Sequence, residues 1–82
     1  MESIISINLR IDSEKCILPE IISLRLDRGG DSYYVYFGGF RIFSSESENN
    51  ARKFYDKTRE VIESGNYQLI LGPDFRPEIR QS

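Results

Sequence analysis

Residues 33–43 read YYVYFGGFRIF and hold six of the ten aromatic side chains of the 82-residue chain. Gly38-Gly39 separates two runs that are typical of strands. Glycine readily adopts the positive φ that a two-residue hairpin turn needs. The stretch therefore predicts a tight β-hairpin with strands at about Tyr33–Phe37 and Phe40–Ser44.

A two-residue turn fixes which side chains share a face, because side chains alternate along a strand. Phe37 is then expected opposite Phe40, and Val35 opposite Ile42. One expected face carries Tyr33, Val35, Phe37, Phe40 and Ile42, and the other carries Tyr34, Tyr36, Arg41 and Phe43. Both faces are rich in apolar and aromatic groups, so we expect one to pack on the core and the other to contact something else.

Two further strands are predicted before the hairpin, because apolar and polar residues alternate there. Residues 5–11 alternate from Ile5 to Ile11, and residues 22–26 alternate from Ile22 to Leu26. The second of these begins after Pro19, which cannot donate to a central ladder. Residues 27–32, DRGGDS, have the composition of an exposed loop between strands.

One amphipathic helix is predicted from about Glu46 to Ser64. Ser45 and Glu48 have the spacing of a capping box, and Gly65 is placed for a left-handed cap at the C-terminal end. The apolar stripe of this helix comprises Ala51, Phe54, Tyr55, Thr58, Val61 and Ile62.

The order of elements predicts an α+β fold. It consists of an antiparallel β-meander of four strands, followed by one amphipathic helix packed on a sheet face and a final short strand at Tyr67–Leu71. Residues 1–72 are expected to form a single α+β domain, and residues 73–82 an irregular C-terminal tail. The order resembles the layout of small sheet-and-helix nucleic-acid-binding modules, although no sequence motif of such modules is matched.

The composition removes most of the usual parts of an active site. The chain has no histidine and a single cysteine, Cys16, which excludes an internal disulfide and the commonest zinc ligand. Cys16 is interpreted as a small buried hydrophobe. The carboxylate pairs Asp12/Glu14 and Asp27/Asp31 are interpreted as turn residues that bond the local backbone, in preference to a cation site. We predict a non-catalytic protein with no cofactor and no bound metal.

The charge and hydropathy indicate where the chain acts and what it binds. The formal net charge is −2 and the sequence pI is about 5.1, so the chain lacks the positive field that duplex nucleic acids require. The apolar runs are too short for a membrane span, and no positive region precedes an apolar stretch as in a signal peptide. We expect a cytoplasmic protein that does not enter a membrane.

The predicted binding site is the second face of the hairpin, formed by Tyr34, Tyr36, Arg41 and Phe43. Tyrosine, phenylalanine and arginine are enriched in the cores of protein–protein contacts. We therefore expect a small protein-interaction module that pairs with itself as a homodimer or docks on a larger protein as an inhibitor or adaptor. An inhibitor encoded by a phage or mobile element is one protein of this kind.

Two alternatives use the same residues. Single-stranded nucleic acid could stack its bases on the aromatic face, since stacking tolerates any base. The cations expected along the phosphates are then Arg25, Arg41, Lys53 and Lys57. In the other alternative, Tyr36 and Arg41 form a local cation–π pair on an exposed sheet and bind nothing.

Overall fold

The computed structural model describes residues 2–11, 21–71 and 77–81. It confirms the α+β fold, with a four-stranded antiparallel sheet in the order β1-β2-β3-β4, one helix packed on it and a final pair of short strands. The elements are β1 (Glu2–Arg10), β2 (Ile21–Gly29), β3 (Ser32–Phe37), β4 (Phe40–Ser45), α1 (Glu48–Ser64), β5 (Tyr67–Leu71) and β6 (Pro77–Gln81).

The core lies between the sheet and the helix, on what we call the helix-side face of the sheet. Apolar residues at alternate positions of β1 to β3 point to this face, and α1 packs against β2, β3 and β4. Tyr55 of α1 is almost completely buried, and its hydroxyl donates a hydrogen bond to the backbone oxygen of Leu24 at 3.3 Å. The buried apolar residues are Leu9, Ile11, Ile22, Leu24, Leu26, Val35, Phe37, Ala51, Tyr55, Val61, Ile62 and Tyr67.

The stripe predicted for the helix is buried as expected, apart from Phe54, which is only partly buried. The N-terminal cap differs from the prediction. Ser47 is the N-cap and its side chain accepts a hydrogen bond from the amide of Asn50, so the Ser45–Glu48 capping box is wrong. The reason is that β4 continues through Ser45, which pairs with Tyr33, and the helix cannot begin until the chain leaves the sheet.

The two-residue turn of the β3–β4 hairpin is confirmed. Gly38 and Gly39 have φ values of 59° and 89°, both in the region that favours glycine. The amide of Gly38 also donates to the backbone oxygen of Ser23 at 2.9 Å, which ties the turn to β2. Phe37 pairs with Phe40 as predicted.

Beyond the pair formed by Tyr36 and Arg41, the predicted register of the hairpin is wrong. Tyr36 pairs with Arg41, but Val35 pairs with Phe43 instead of Ile42, because the register shifts between these two pairs. One residue of β4 is thus left over, as in a β-bulge. Each later side chain of β4 moves to the opposite face from the one that strict alternation predicts.

Two segments predicted to be irregular are in fact strands. β2 extends through Asp27 and Arg28 to Gly29, so the loop predicted at residues 27–32 shrinks to a turn around Gly30. At the other end, β6 pairs antiparallel with β5, which corrects the irregular tail over Pro77–Gln81. The predictions for Asp12, Glu14, Cys16, Pro19 and residues 72–76 lie outside the described residues.

Candidate functional site

The outer face of the sheet, opposite the helix, carries polar and aromatic side chains. The pairing of the four strands aligns them in rows across the sheet. One row consists of Ser6, Arg25, Tyr36 and Arg41, and the next consists of Ser3, Asp27, Tyr34 and Ser44. Three of the four predicted site residues, Tyr34, Tyr36 and Arg41, therefore share this face.

Two partly exposed tyrosines lie at the centre of these rows, and each has a guanidinium beside it. The ring centroids of Tyr34 and Tyr36 are 6.3 Å apart, with the planes tilted by 52°. The Cζ atom of Arg25 lies 5.0 Å from the Tyr36 centroid, and that of Arg41 lies 5.3 Å from the Tyr34 centroid. Both distances are within the range of cation–π attraction. We call these four residues the tyrosine–arginine surface.

The cation–π partner of Arg41 differs from the predicted one. Arg41 pairs through the backbone with Tyr36, but its guanidinium lies over the ring of Tyr34, one row away. Arg25, from the neighbouring strand β2, takes the place beside Tyr36. The alternation of residues 22–26 places Arg25 on this face, but its pairing with Tyr36 depends on how β2 and β3 align.

Asp27 is a buried carboxylate on the outer face. Its Oδ2 lies 3.3 Å from Nη2 of Arg25, and its side chain is 7% exposed against 40% for that of Arg25. Among the described residues, Asp27 Oδ1 and Arg25 Nε find no hydrogen-bond partner. The ion pair therefore neutralises Arg25 in part and holds it beside Tyr36. The glycines that follow Asp27 predict a turn at this position, although Asp27 continues the outward positions of Ser23 and Arg25.

Phe43 does not belong to this surface. Its ring stacks on that of Phe54 of α1, with centroids 4.3 Å apart and planes 11° apart, so it lies on the helix-side face. The shift of register in β4 is the cause. The outer face thus loses the phenylalanine that made it strongly apolar in the prediction.

The far end of the outer face contains an exposed apolar residue. Ile21 is 65% exposed and pairs with Arg10 of β1, and both follow the outward alternation of their strands. Phe40, at the hairpin turn, is the other large apolar side chain that is exposed in the described part of the chain. Neither residue was predicted as part of a site.

The lysines predicted to follow phosphates do not join the tyrosines. Lys53 and Lys57 are exposed on α1, which covers the helix-side face, so the sheet separates them from Tyr34 and Tyr36. The arginines of the helix form exposed ion pairs with carboxylates one turn away. These are Arg52 with Glu48 at 3.5 Å and Arg59 with Glu63 at 3.0 Å. This side of the helix is an ordinary solvated surface.

Within residues 2–11, 21–71 and 77–81, no group of three or more carboxylate or cysteine side chains is placed to hold a metal ion. The same part of the chain has no helix of the length and hydropathy needed to span a membrane. No protein family, curated protein or solved structure matches this chain in the comparisons with known proteins. The function must therefore be argued from the outer face itself.

Proposed function

We propose that the protein is a small non-catalytic interaction module whose tyrosine–arginine surface binds an acidic region of a larger protein. The observation that carries this proposal is the pair of partly exposed tyrosines held between two arginines on a sheet face that the helix leaves free. An inhibitor or adaptor in the cytoplasm, of cellular or phage origin, would act in this way.

The residue types suit a protein contact. Tyrosine and arginine are enriched among the residues that dominate binding energy at interfaces. Here each ring already has a cation–π neighbour, and Arg25 is also bound by Asp27. Side chains that are ordered before binding lose less conformational entropy when a partner arrives, so more of the contact energy appears as affinity.

The charge of the surface favours a partner with carboxylates. Arg25 and Arg41 lie on the outer face, whereas Asp27 is buried and already bound to Arg25. Carboxylates of a partner would complement the remaining positive charge. The same charge disfavours homodimerisation through this face, since it would bring the arginines of two copies together.

Single-stranded nucleic acid is the second candidate, and the positive charge beside the tyrosines favours it. Two features weigh against it. Each ring has a guanidinium within 5.3 Å of its centroid, which competes with a stacked base for the ring. The chain also carries a formal net charge of −2, and Lys53 and Lys57 lie on the opposite side of the molecule.

The test compares two single substitutions in capture and titration experiments. Tyr36→Ala removes the centre of the surface, and Lys53→Ala removes an exposed helix residue as the matched control. Proteins from the source cell that bind the wild type and Lys53→Ala, but not Tyr36→Ala, are the expected result. Identical capture by all three would refute the proposal, as would loss of folding of Tyr36→Ala in circular dichroism.

A labelled oligothymidylate, titrated at low and high salt, decides between the two candidates. We expect no binding at micromolar protein. Tight binding that weakens with salt and is lost in Tyr36→Ala would establish the nucleic-acid alternative instead.

A further inference from the structure

We propose that Arg41 is the residue of the tyrosine–arginine surface that binds a side-chain carboxylate of the partner protein, and that Arg25 is a positioning residue that holds Tyr36. The inference rests on the proposed function and gives the two arginines of that surface different roles. The observation behind it is that the guanidinium of Arg25 already has a carboxylate, whereas that of Arg41 has a tyrosine ring instead.

Arg25 is occupied within its own strand. Its Nη2 lies 3.3 Å from Oδ2 of Asp27, whose side chain is 7% exposed. A buried carboxylate is costly without a partner, so Arg25 cannot turn to another carboxylate without leaving the charge of Asp27 unpaired. The Nε atom of Arg25 is also shielded from solvent, which leaves less of its guanidinium open to a partner.

Arg41 is available for an ion pair. It is exposed on β4, the last strand of the sheet, and within the described residues its side chain contacts the ring of Tyr34, 5.3 Å from Cζ to centroid. A cation–π contact uses the positive charge but fills none of the N–H donors of the guanidinium. Two of these donors can bind both oxygens of one carboxylate, and the contact with Tyr34 reduces the entropy lost when they do.

The surroundings of Arg41 differ from those of the other arginines. In the described part of the chain, Arg52, Arg59 and Arg80 each bind a glutamate. Arg28 also lies beside a tyrosine, 5.9 Å from the centroid of Tyr33, but Glu2 pairs opposite it on β1. Neither β4 nor the neighbouring β3 contains a carboxylate side chain, so Arg41 has none on its own strand or opposite it.

The charge of the surface fits a carboxylate better than a phosphate. Asp27 offsets Arg25, so Arg41 leaves a single positive charge on the surface. One carboxylate balances that charge. A phosphate group carries up to two negative charges, and the second would face Asp27 with no further cation beside it.

A peptide of four glutamates with both ends blocked tests the contact, because its charges are all side-chain carboxylates. Its titration at low salt is followed by NMR through the Nε–H resonances of the arginine side chains. We expect the resonance of Arg41 to shift and saturate while that of Arg25 stays in place, and a blocked peptide of four glutamines to shift neither. A response of Arg25 without Arg41, or of neither at millimolar peptide, would overturn the inference.

Variants separate a specific contact from net charge. Arg41→Gln should weaken peptide binding about tenfold or more, since a charged hydrogen bond is lost. Arg41→Lys keeps the charge but lacks the planar fork, so it should weaken binding less than Arg41→Gln. Arg28→Gln is the matched control, because it removes the same charge from beside a tyrosine on the other face, and it should leave the dissociation constant unchanged. Equal losses in Arg41→Gln and Arg28→Gln would show that net charge alone attracts the peptide.

Asp27→Asn tests the role given to Arg25. With its carboxylate gone, Arg25 should become a second arginine whose Nε–H resonance responds to the peptide. If Arg25 stays silent in this variant, Asp27 is not what keeps it from binding.

Capture of the partner protein distinguishes this inference from the proposed function. Loss of capture in both Tyr36→Ala and Arg41→Gln is the expected result. Loss in Tyr36→Ala with full retention in Arg41→Gln would leave the surface as the interface and reject Arg41 as its carboxylate-binding residue. Capture that is unchanged in both would reject the proposed function and this inference with it.

Discussion

Phe43 of β4 and Phe54 of α1 stack with their centroids 4.3 Å apart and their planes 11° apart. This contact joins the last strand of the meander to the helix that follows it. It exists because the register of β4 shifts after Arg41, which turns Phe43 towards the helix. The same shift removes an apolar ring from the outer face and leaves that face to tyrosines and arginines.

A double-mutant cycle on this stack is the first prediction. Phe54→Ala should lower the free energy of unfolding by about 2–3 kcal/mol, less than for a fully buried phenylalanine, because Phe54 is partly exposed. Phe43→Ala and Phe54→Ala should show a coupling energy of about 0.5–1.5 kcal/mol in urea denaturation. Tyr34→Ala combined with Phe54→Ala should be additive. Additivity of the phenylalanine pair would contradict the stack.

The buried hydroxyl of Tyr55 makes stability depend on alkaline pH. Burial raises the pKa of Tyr55 above its ordinary value of 10.0. The unfolded chain therefore loses this proton at a lower pH than the folded protein does. The contribution of Tyr55 to the free energy of unfolding is complete below pH 10 and declines as the pH rises above it. Urea denaturation at pH 8 to 11 should show this decline. In Tyr55→Phe the decline with pH should be smaller. At neutral pH the variant should have a free energy of unfolding about 0.5–1.5 kcal/mol lower, because the hydrogen bond to Leu24 is lost.

Two glycines with nearly the same backbone conformation should differ in their tolerance of alanine. Gly30 and Gly38 have φ values of 63° and 59°. Each alanine variant should therefore have a free energy of unfolding about 1–2 kcal/mol lower, because alanine is strained in the left-handed conformation. A Cβ at Gly30 meets nothing within 4 Å, whereas one at Gly38 lies 3.1 Å from Cγ2 of the buried Ile22. Gly38→Ala should therefore be the less stable variant in thermal denaturation. Equal melting temperatures would show that Ile22 moves aside at no cost.

The ion pair on the outer face should contribute more to stability than the ion pair on the helix. Asp27→Asn removes the buried carboxylate that pairs with the partly exposed Arg25, and should cost about 1–2 kcal/mol. Glu63→Gln breaks the exposed pair with Arg59, and should cost about 0.5 kcal/mol or less. Chemical denaturation of both variants checks the order. Similar losses would mean that Asp27 is as well solvated as Glu63.

The sequence by itself determined the elements of this fold other than β6, and the residues that share most of the outer face of the sheet. Each element follows from a local pattern, because the preference for a strand, a turn or a helix depends mainly on residues that are close in the sequence. The patterns are the alternation over Ile5–Ile11 and Ile22–Leu26, the Gly38-Gly39 turn and the apolar stripe from Ala51 to Ile62. The shared face of Tyr34, Tyr36 and Arg41 has the same local origin. Tyr34 and Tyr36 are two residues apart in one strand, and Arg41 pairs with Tyr36 across the two-residue turn.

Only the tertiary structure decided the helix cap, the register of β4 and the pairing of residues from different elements. Ser47 replaced Ser45 as the cap because β4 holds Ser45 in the sheet, and Phe43 changed faces because one residue is left over in the ladder. Asp27 is a buried partner of Arg25 because β2 continues through the predicted loop, where it pairs with β3. Pro77–Gln81 formed a strand only because β5 pairs with it. Each depends on residues far apart in the chain, and a local pattern carries no information about register, burial or pairing between them.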